Sequence, residues 1–119
     1  MKALFGRTID TGIQHGTVTV MLEKDGFEVT TYRIDGKYED GRHPTEVIFT
    51  PSLEEDLKRR DFTINAMAWS LNGKTFGELV DPFDGMYDLE DCIICTPCDP
   101  DITFSDDPLR MMRGIRFAS

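Results

Sequence analysis

The chain has 119 residues, 39% of them hydrophobic, which suits one small domain or part of a larger one with a modest core. A net charge of −9 argues against a broad basic nucleic-acid surface, so such a partner would be held by a local patch or by another domain. No apolar run approaches membrane-spanning length and Met1 to Phe5 lacks the apolar stretch of a signal peptide, so a cytoplasmic setting is the default.

Residues 15–33 read as a β-hairpin. Val18, Val20 and Leu22 alternate with Thr17, Thr19 and Met21, Asp25-Gly26 supplies the turn, and Phe27 to Arg33 alternate again. Asp35 to Pro44 is polar and turn-rich and reads as an exposed, mobile loop. Val47-Ile48-Phe49 is a short edge strand. Ser52 then opens a helix: Ser52 and Glu55 form a capping box, and Glu54, Glu55 and Asp56 suit the positive helix N-terminus. The helical pattern runs to about Trp69, with a break near Asp61 as the alternative. Asn72-Gly73 leads into a second extended pair around Thr75 to Val80. Asp81 to Gly85 is a tight loop, and Ile93 to Thr96 is extended. Asp106-Asp107-Pro108 starts a last helix, which runs to Ser119 without a stop signal and so reads as cut there.

Five features bear on chemistry. Cys92, Cys95 and Cys98 keep a spacing that can hold a metal or an iron–sulfur cluster. No fourth ligand is obvious, since His15 and His43 are far away in sequence. The favoured reading is a short apolar strand, Cys92-Ile-Ile-Cys95, whose thiols pack as small hydrophobes; a disulfide is not expected in a cytoplasmic chain. In Lys58-Arg59-Arg60-Asp61-Phe62, the densest cationic cluster, a continuous helix would put Arg60 amid the apolar stripe of Leu53, Leu57, Ile64 and Ala68. A charge there needs a partner or a cleft. The simpler reading is an ion pair with Asp61 or a helix break at Asp61; the other is a site where Arg60 binds phosphate or ribose and Asp61 accepts a sugar hydroxyl.

Asp107 and Arg110 share a helical face near a helix N-terminus. One reading is a helix cap with a surface ion pair. The other is base recognition: a carboxylate accepts from an exocyclic amine while a guanidinium donates to a ring nitrogen or carbonyl. Adenine and cytosine both show an amine beside an acceptor nitrogen, whereas guanine and uracil show the reverse. Glu28, between apolar neighbours on a strand, is either solvent-facing or a metal ligand or its supporting group. Gly12-Ile-Gln-His15-Gly16-Thr17 is glycine-bounded and able to approach a ligand closely, but matches no Walker or Rossmann pattern.

Several stretches resemble the class II nucleotidyltransferases, which include CCA-adding enzymes and bacterial poly(A) polymerases. They are Thr11-Gly-Ile-Gln-His-Gly-Thr-Val18, Glu28-Val-Thr-Thr-Tyr-Arg33 and Asp35 to Pro44, then Glu55-Asp-Leu-Lys-Arg-Arg-Asp-Phe-Thr-Ile-Asn-Ala-Met67, Asp84-Gly-Met-Tyr-Asp-Leu89 and Asp106-Asp-Pro-Leu-Arg-Met-Met-Arg-Gly-Ile-Arg-Phe-Ala118. The resemblance implies an α+β, polymerase β-like nucleotidyltransferase head over residues 1–104, incomplete here, with 105–119 as the start of a helical neck. It implies transfer of CMP or AMP from CTP or ATP to an RNA 3′ hydroxyl, with CCA addition to the tRNA 3′ end the favoured form and poly(A) synthesis the runner-up. A non-catalytic nucleotide-binding module is the rival from another class. Nucleotide-binding roles fall on Arg60, Asp61, Asn65, Asp107, Arg110 and Arg113, and a further acidic role on Glu28. Two Mg2+ ions are implied, but the family's Gly-Gly motif and Asp-x-Asp, which would hold them, have no counterpart in this sequence; Asp99-Pro-Asp101 reads as a proline-containing loop. A missing N-terminal segment or companion chain, a missing C-terminal segment, inactivity of the chain alone and possible self-association are the corresponding expectations.

Overall fold

The computed structural model describes residues 1–36 and 46–119. Most of the Asp35–Pro44 loop, including His43, lies outside the described residues. The chain opens with a three-stranded antiparallel sheet of β1 (Thr8–Gly12), β2 (Thr17–Leu22) and β3 (Asp25–Thr30), in that spatial order. Two small antiparallel pairs follow: β4 (Arg33–Asp35) with β5 (Val47–Phe49), and β6 (Ala68–Trp69) with β7 (Leu79–Val80). The helices are α1 (Leu53–Lys58), α2 (Gly85–Glu90), α3 (Pro100–Asp106) and α4 (Leu109–Ala118). This is the expected α+β arrangement.

The hairpin forms, but its turn is Glu23-Lys24 rather than Asp25-Gly26. Leu22 pairs with Asp25, and Glu23 takes a left-handed φ of 55°. Side-chain pairing explains the choice. This register sets Val18 opposite Val29 and Val20 opposite Phe27, while Thr17 meets Thr30 and Thr19 meets Glu28. A turn centred on Asp25-Gly26 would have placed Val18 opposite Arg33. The threonine face is stitched by hydroxyl contacts of 3.0 Å, Thr17 to Thr30 and Thr11 to Thr19.

β1 and the 3-10 turn Ile13–His15 occupy the stretch read as a glycine-bounded ligand loop. Gly16 closes that turn with φ 75°, and a Cβ there would stand 2.6 Å from the Phe49 ring. Its glycine therefore serves the turn and the seating of β5.

The helix opened by Ser52 stops after six residues, so the alternative of a break near Asp61 holds and the run to Trp69 does not. Ser52 caps it as foreseen, its Oγ accepting from the Glu55 amide at 3.3 Å. Backbone accounting shows why it ends. A continuing helix would send the Phe62 amide to the Lys58 carbonyl and the Thr63 amide to Arg59. Instead, the Asp61 carboxylate takes the Phe62 amide at 2.8 Å, and the Cys95 carbonyl takes the Thr63 amide at 2.8 Å. The released carbonyls find other donors: Lys58 accepts from the Cys98 thiol at 3.6 Å and Arg59 from Arg110 Nη2 at 3.1 Å. Phe62 is extended, a 3-10 turn spans Thr63–Asn65, and the chain leaves as β6. The apolar stripe through Ile64 and Ala68 thus does not exist as a helical face.

The segment 92–96 forms no strand. Cys92 sits in a turn with φ 56°, and Cys92 and Cys95 are exposed rather than packed. Asp99-Pro100-Asp101, read as a loop, starts α3: the Asp99 carboxylate accepts from the Asp101 amide at 2.9 Å and Pro100 lies in the first turn. α2 was also unforeseen, and there Asp81 accepts from the Gly85 and Met86 amides at 2.7 and 2.9 Å. No helix among the described residues is long and apolar enough to cross a membrane.

The packing centre lies between the α1 break and α4. Phe62, 1% exposed, meets Phe117 edge-on at 6.0 Å and Phe104 at 6.4 Å. Gly114 lets α4 approach, since a Cβ there would lie 3.2 Å from the Phe62 ring. Leu57 and Ala66 complete the buried apolar set on this side, and Val20 is buried in the sheet.

Candidate nucleotide site

The break after α1 and the N-terminal turn of α4 enclose an open cavity of about 530 Å³. Its lining includes Arg60, Asp61, Asn65, Asp107, Arg110 and Arg113, every nucleotide-contacting residue expected from the sequence, together with Arg59 and Leu109. Four arginines against two aspartates make this a cationic pocket in a chain of net charge −9. Such a local excess favours a polyanionic ligand that the chain as a whole would repel.

The ion pairs differ from the sequence expectation. Asp61 pairs not with Arg60 but with Arg113, whose Nε donates to Asp61 Oδ2 at 2.6 Å. Asp61 Oδ1 accepts from the Phe62 amide and, at 3.3 Å, from Asn65 Nδ2. Asp61 is buried and keeps one acceptor direction of its four for a further donor. Arg113 also stacks over Phe117, its Cζ 5.3 Å from the ring centre, which ties the cavity wall to the Phe62 core.

Arg60 pairs with Asp56, Nη2 to Oδ1 at 3.1 Å. Sequence reading gave Asp56 only a helix-end charge. The structure makes it a hub: 3% exposed, it also accepts from the Arg33 amide of β4 at 2.9 Å and from Arg59 Nη2 at 3.3 Å. Its Ser-x-x-Glu-Asp setting suited a helix N-terminus, and only the i+3 and i+4 spacing to Arg59 and Arg60 signalled the hub. Burial pushes the Asp56 carboxyl up, but the Arg33 amide, the Arg59 charge and the Arg60 hydrogen bond outweigh it and hold it below the usual carboxylate range. A depressed folded-state pKa adds stability that is complete above the unfolded value of about 3.9 and disappears as pH falls through the folded value. Denaturant melts between neutral pH and pH 3 should therefore lose stability toward acid, and Asp56→Asn should flatten that loss. An unchanged acid slope would contradict this assignment.

Asp107 sits between α3 and α4, and its Oδ1 accepts from the Leu109 amide at 3.1 Å. It is the cap anticipated by the simpler reading, and it lines the cavity as well. Arg110 does not pair with it. Its Nη1 donates to the Thr103 carbonyl at 3.2 Å and its Nη2 to the Arg59 carbonyl, so α3 and the end of α1 hold the guanidinium from both sides.

A second cavity of about 320 Å³ shares Arg59 and Arg60 and runs to Thr17, Thr30 and Tyr32 of the sheet region. Glu28 is exposed on the same threonine-bearing face, opposite Thr19, but lines neither cavity. Among the described residues no group of three or more His, Cys, Asp or Glu side chains could hold a metal ion, and the three cysteines form none. The described residues therefore do not fit a magnesium pair.

The architecture around this cavity is that of a nucleotidyltransferase head. The structure of the Bacillus stearothermophilus CCA-adding enzyme in complex with CTP superposes with a TM-score of 0.83 at 44% identity, over 98% of this chain and 26% of that one. A tRNA nucleotidyltransferase complexed with a primer tRNA and an incoming ATP analog gives 0.72 at 36% identity, over 94% and 29%. Among curated proteins, the CCA-adding enzyme of Enterococcus faecalis is 52% identical over the full chain and that of Lactobacillus helveticus 50%. The chain spans 28% and 29% of their lengths. The Poly A polymerase head domain family matches residues 1–95, and the chain belongs to that family.

Proposed function

We propose that this chain is the nucleotide-selecting part of an enzyme that adds CMP and AMP, from CTP and ATP, to the 3′ end of tRNA with release of pyrophosphate. The observation that carries the reading is a cationic cavity that gathers Arg60, Asp61, Asn65, Asp107, Arg110 and Arg113 from two distant segments. The CCA-adding relatives support the choice of substrates. In this reading residues 1–104 form the head and 105–119 begin the helical neck.

Within the cavity, Arg60 takes phosphate or ribose oxygens, and Asp61 accepts a sugar hydroxyl at its remaining acceptor direction. Asp107 accepts the exocyclic amine of cytosine or adenine. Arg110 uses guanidinium protons not spent on its two carbonyls to donate to the adjacent ring nitrogen or carbonyl. Guanine and uracil present the opposite pattern to this pair and leave its groups unsatisfied, at about 1–3 kcal/mol for each group. No chemical step is assigned to Glu28 or to magnesium, because the described residues supply no ligand set for it. The many exposed large apolar side chains, Leu4, Trp69, Leu71 and Phe76 among them, support self-association or a covering partner segment.

The test is incorporation of labelled CMP and AMP into tRNA lacking its CCA end, with divalent metal present. The 119-residue polypeptide should not extend the primer alone, and should do so when a segment bearing Gly-Gly and Asp-x-Asp and the C-terminal segment are both supplied, in the same or a second chain. CCA ends support the reading, and tails of A alone would favour the poly(A) alternative. Failure of the completed enzyme to extend any primer would contradict both.

A further inference from the structure

The buried carboxylate at the end of α1 joins the two halves of the nucleotide site. We infer that Asp56 is a positioning residue that fixes Arg60 and, through Arg59, the guanidinium of Arg110. The inference rests on the proposed nucleotide-binding role of this cavity.

Three contacts converge on Asp56. The Arg33 amide anchors it to β4, so its place is set by the sheet region as well as by its own helix. Arg60 Nη2 approaches one oxygen at 3.1 Å, and Arg59 Nη2 approaches the other at 3.3 Å. Arg60 is well exposed and would otherwise sample many rotamers, at an entropic cost to any ligand that must order it. Holding one of its nitrogens leaves the remaining donors facing the cavity in a restricted arc.

The second route runs through the backbone. Arg59 is gripped at its side chain by Asp56 and, at 3.8 Å, by Asp35. Its own carbonyl, left open by the helix break, is one of the two acceptors that hold Arg110. A shift at Arg59 therefore moves one support of the base-reading guanidinium. Arg59 and Arg60 line both cavities, whereas Asp56 lines only the second, so it need not touch a ligand held in the first.

This arrangement separates Asp56 from its neighbours in a binding experiment. Equilibrium binding of CTP and UTP is measured on the chain and on Asp56→Asn, Asp56→Glu and Arg60→Ala. Arg60→Ala should weaken both nucleotides about tenfold and leave their ratio unchanged, as expected for a contact to phosphate or sugar. Asp56→Asn should weaken CTP by a similar factor and also narrow the CTP-over-UTP ratio about threefold, because Arg110 loses a support. Asp56→Glu should recover part of both. A carboxylate that only stabilised the fold would change the folded fraction and leave the ratio intact, and that result overturns the inference. No CTP binding by the unsubstituted chain would overturn the nucleotide-site reading itself, and this inference with it. Should Asp56→Asn not fold, nitrogen relaxation of the Arg59 and Arg60 guanidiniums in the unsubstituted chain decides. Slow rotation of both supports the assignment, and free rotation of Arg60 contradicts it.

Discussion

Phe62→Ala should destabilise the chain by about 3–5 kcal/mol, the range for truncating a buried aromatic side chain. Small domains commonly have only about 5–15 kcal/mol in total, so this one change removes a large share of it. The side chain is 1% exposed and packs on Phe104 of α3 and Phe117 of α4. Its loss opens a void where Gly114 had allowed the closest approach of α4. The site should suffer in step. Arg113 reaches Asp61, and Arg110 reaches the Arg59 carbonyl, only while α4 lies on the broken end of α1. Phe62→Leu keeps much of the volume and should cost clearly less. Denaturant unfolding followed by circular dichroism measures both. A cost below about 1 kcal/mol for the alanine variant would mean that the core lies elsewhere.

Asp107→Ala should reduce discrimination against UTP and GTP by about 1–3 kcal/mol, the scale of a lost or unsatisfied polar contact. Arg110→Ala should weaken CTP and ATP together, because both bases use the same donor. Arg60→Ala should weaken all four nucleotides about equally, since sugar and phosphate carry no base identity. The helix cap complicates the first of these. Asp107 also accepts from the Leu109 amide, and loss of such a cap costs about 1 kcal/mol of stability on its own. Asp107→Asn separates the roles. Asparagine caps helices as well as aspartate does, but its amide can donate to the carbonyl of uracil or guanine. Stability should hold while the ratio of CTP to UTP binding falls. If Asp107→Ala weakens every nucleotide by one factor, the residue is a cap and nothing more.

Much of the candidate site was legible because its residues lie in two dense segments, Arg59–Asn65 and Asp107–Arg113, which the motif resemblance marked and which line one cavity. Their pairing was not legible. Arg60 and Asp61 are adjacent in sequence, yet one turns to Asp56 and the other to Arg113 on a distant helix. Local periodicity favoured one long helix because Leu53, Leu57, Ile64 and Ala68 fit its spacing. The break depends on acceptors and donors far along the chain: Cys95, Cys98 and Arg110. Asp61 marked a break as the alternative, but the tertiary hydrogen bonds that complete it leave no local trace. The hairpin turn shows another limit. Asp-Gly is the stronger turn signal, but the pairing of valines against Val29 and Phe27 outweighed it. The start of α3 was readable in principle, since Asp99-Pro100 repeats the cap-and-proline pattern recognised at Asp107-Pro108.

One cavity is proposed to hold a nucleoside triphosphate and to read its base through Asp107 and Arg110. The most direct measurement is equilibrium binding of CTP, ATP, UTP and GTP to the chain under a single set of conditions, without primer or template. CTP and ATP should bind, and UTP and GTP should bind at least about tenfold more weakly, the ratio set by one mismatched polar pair. Equal affinity for all four nucleotides, or a preference for UTP or GTP, would contradict it.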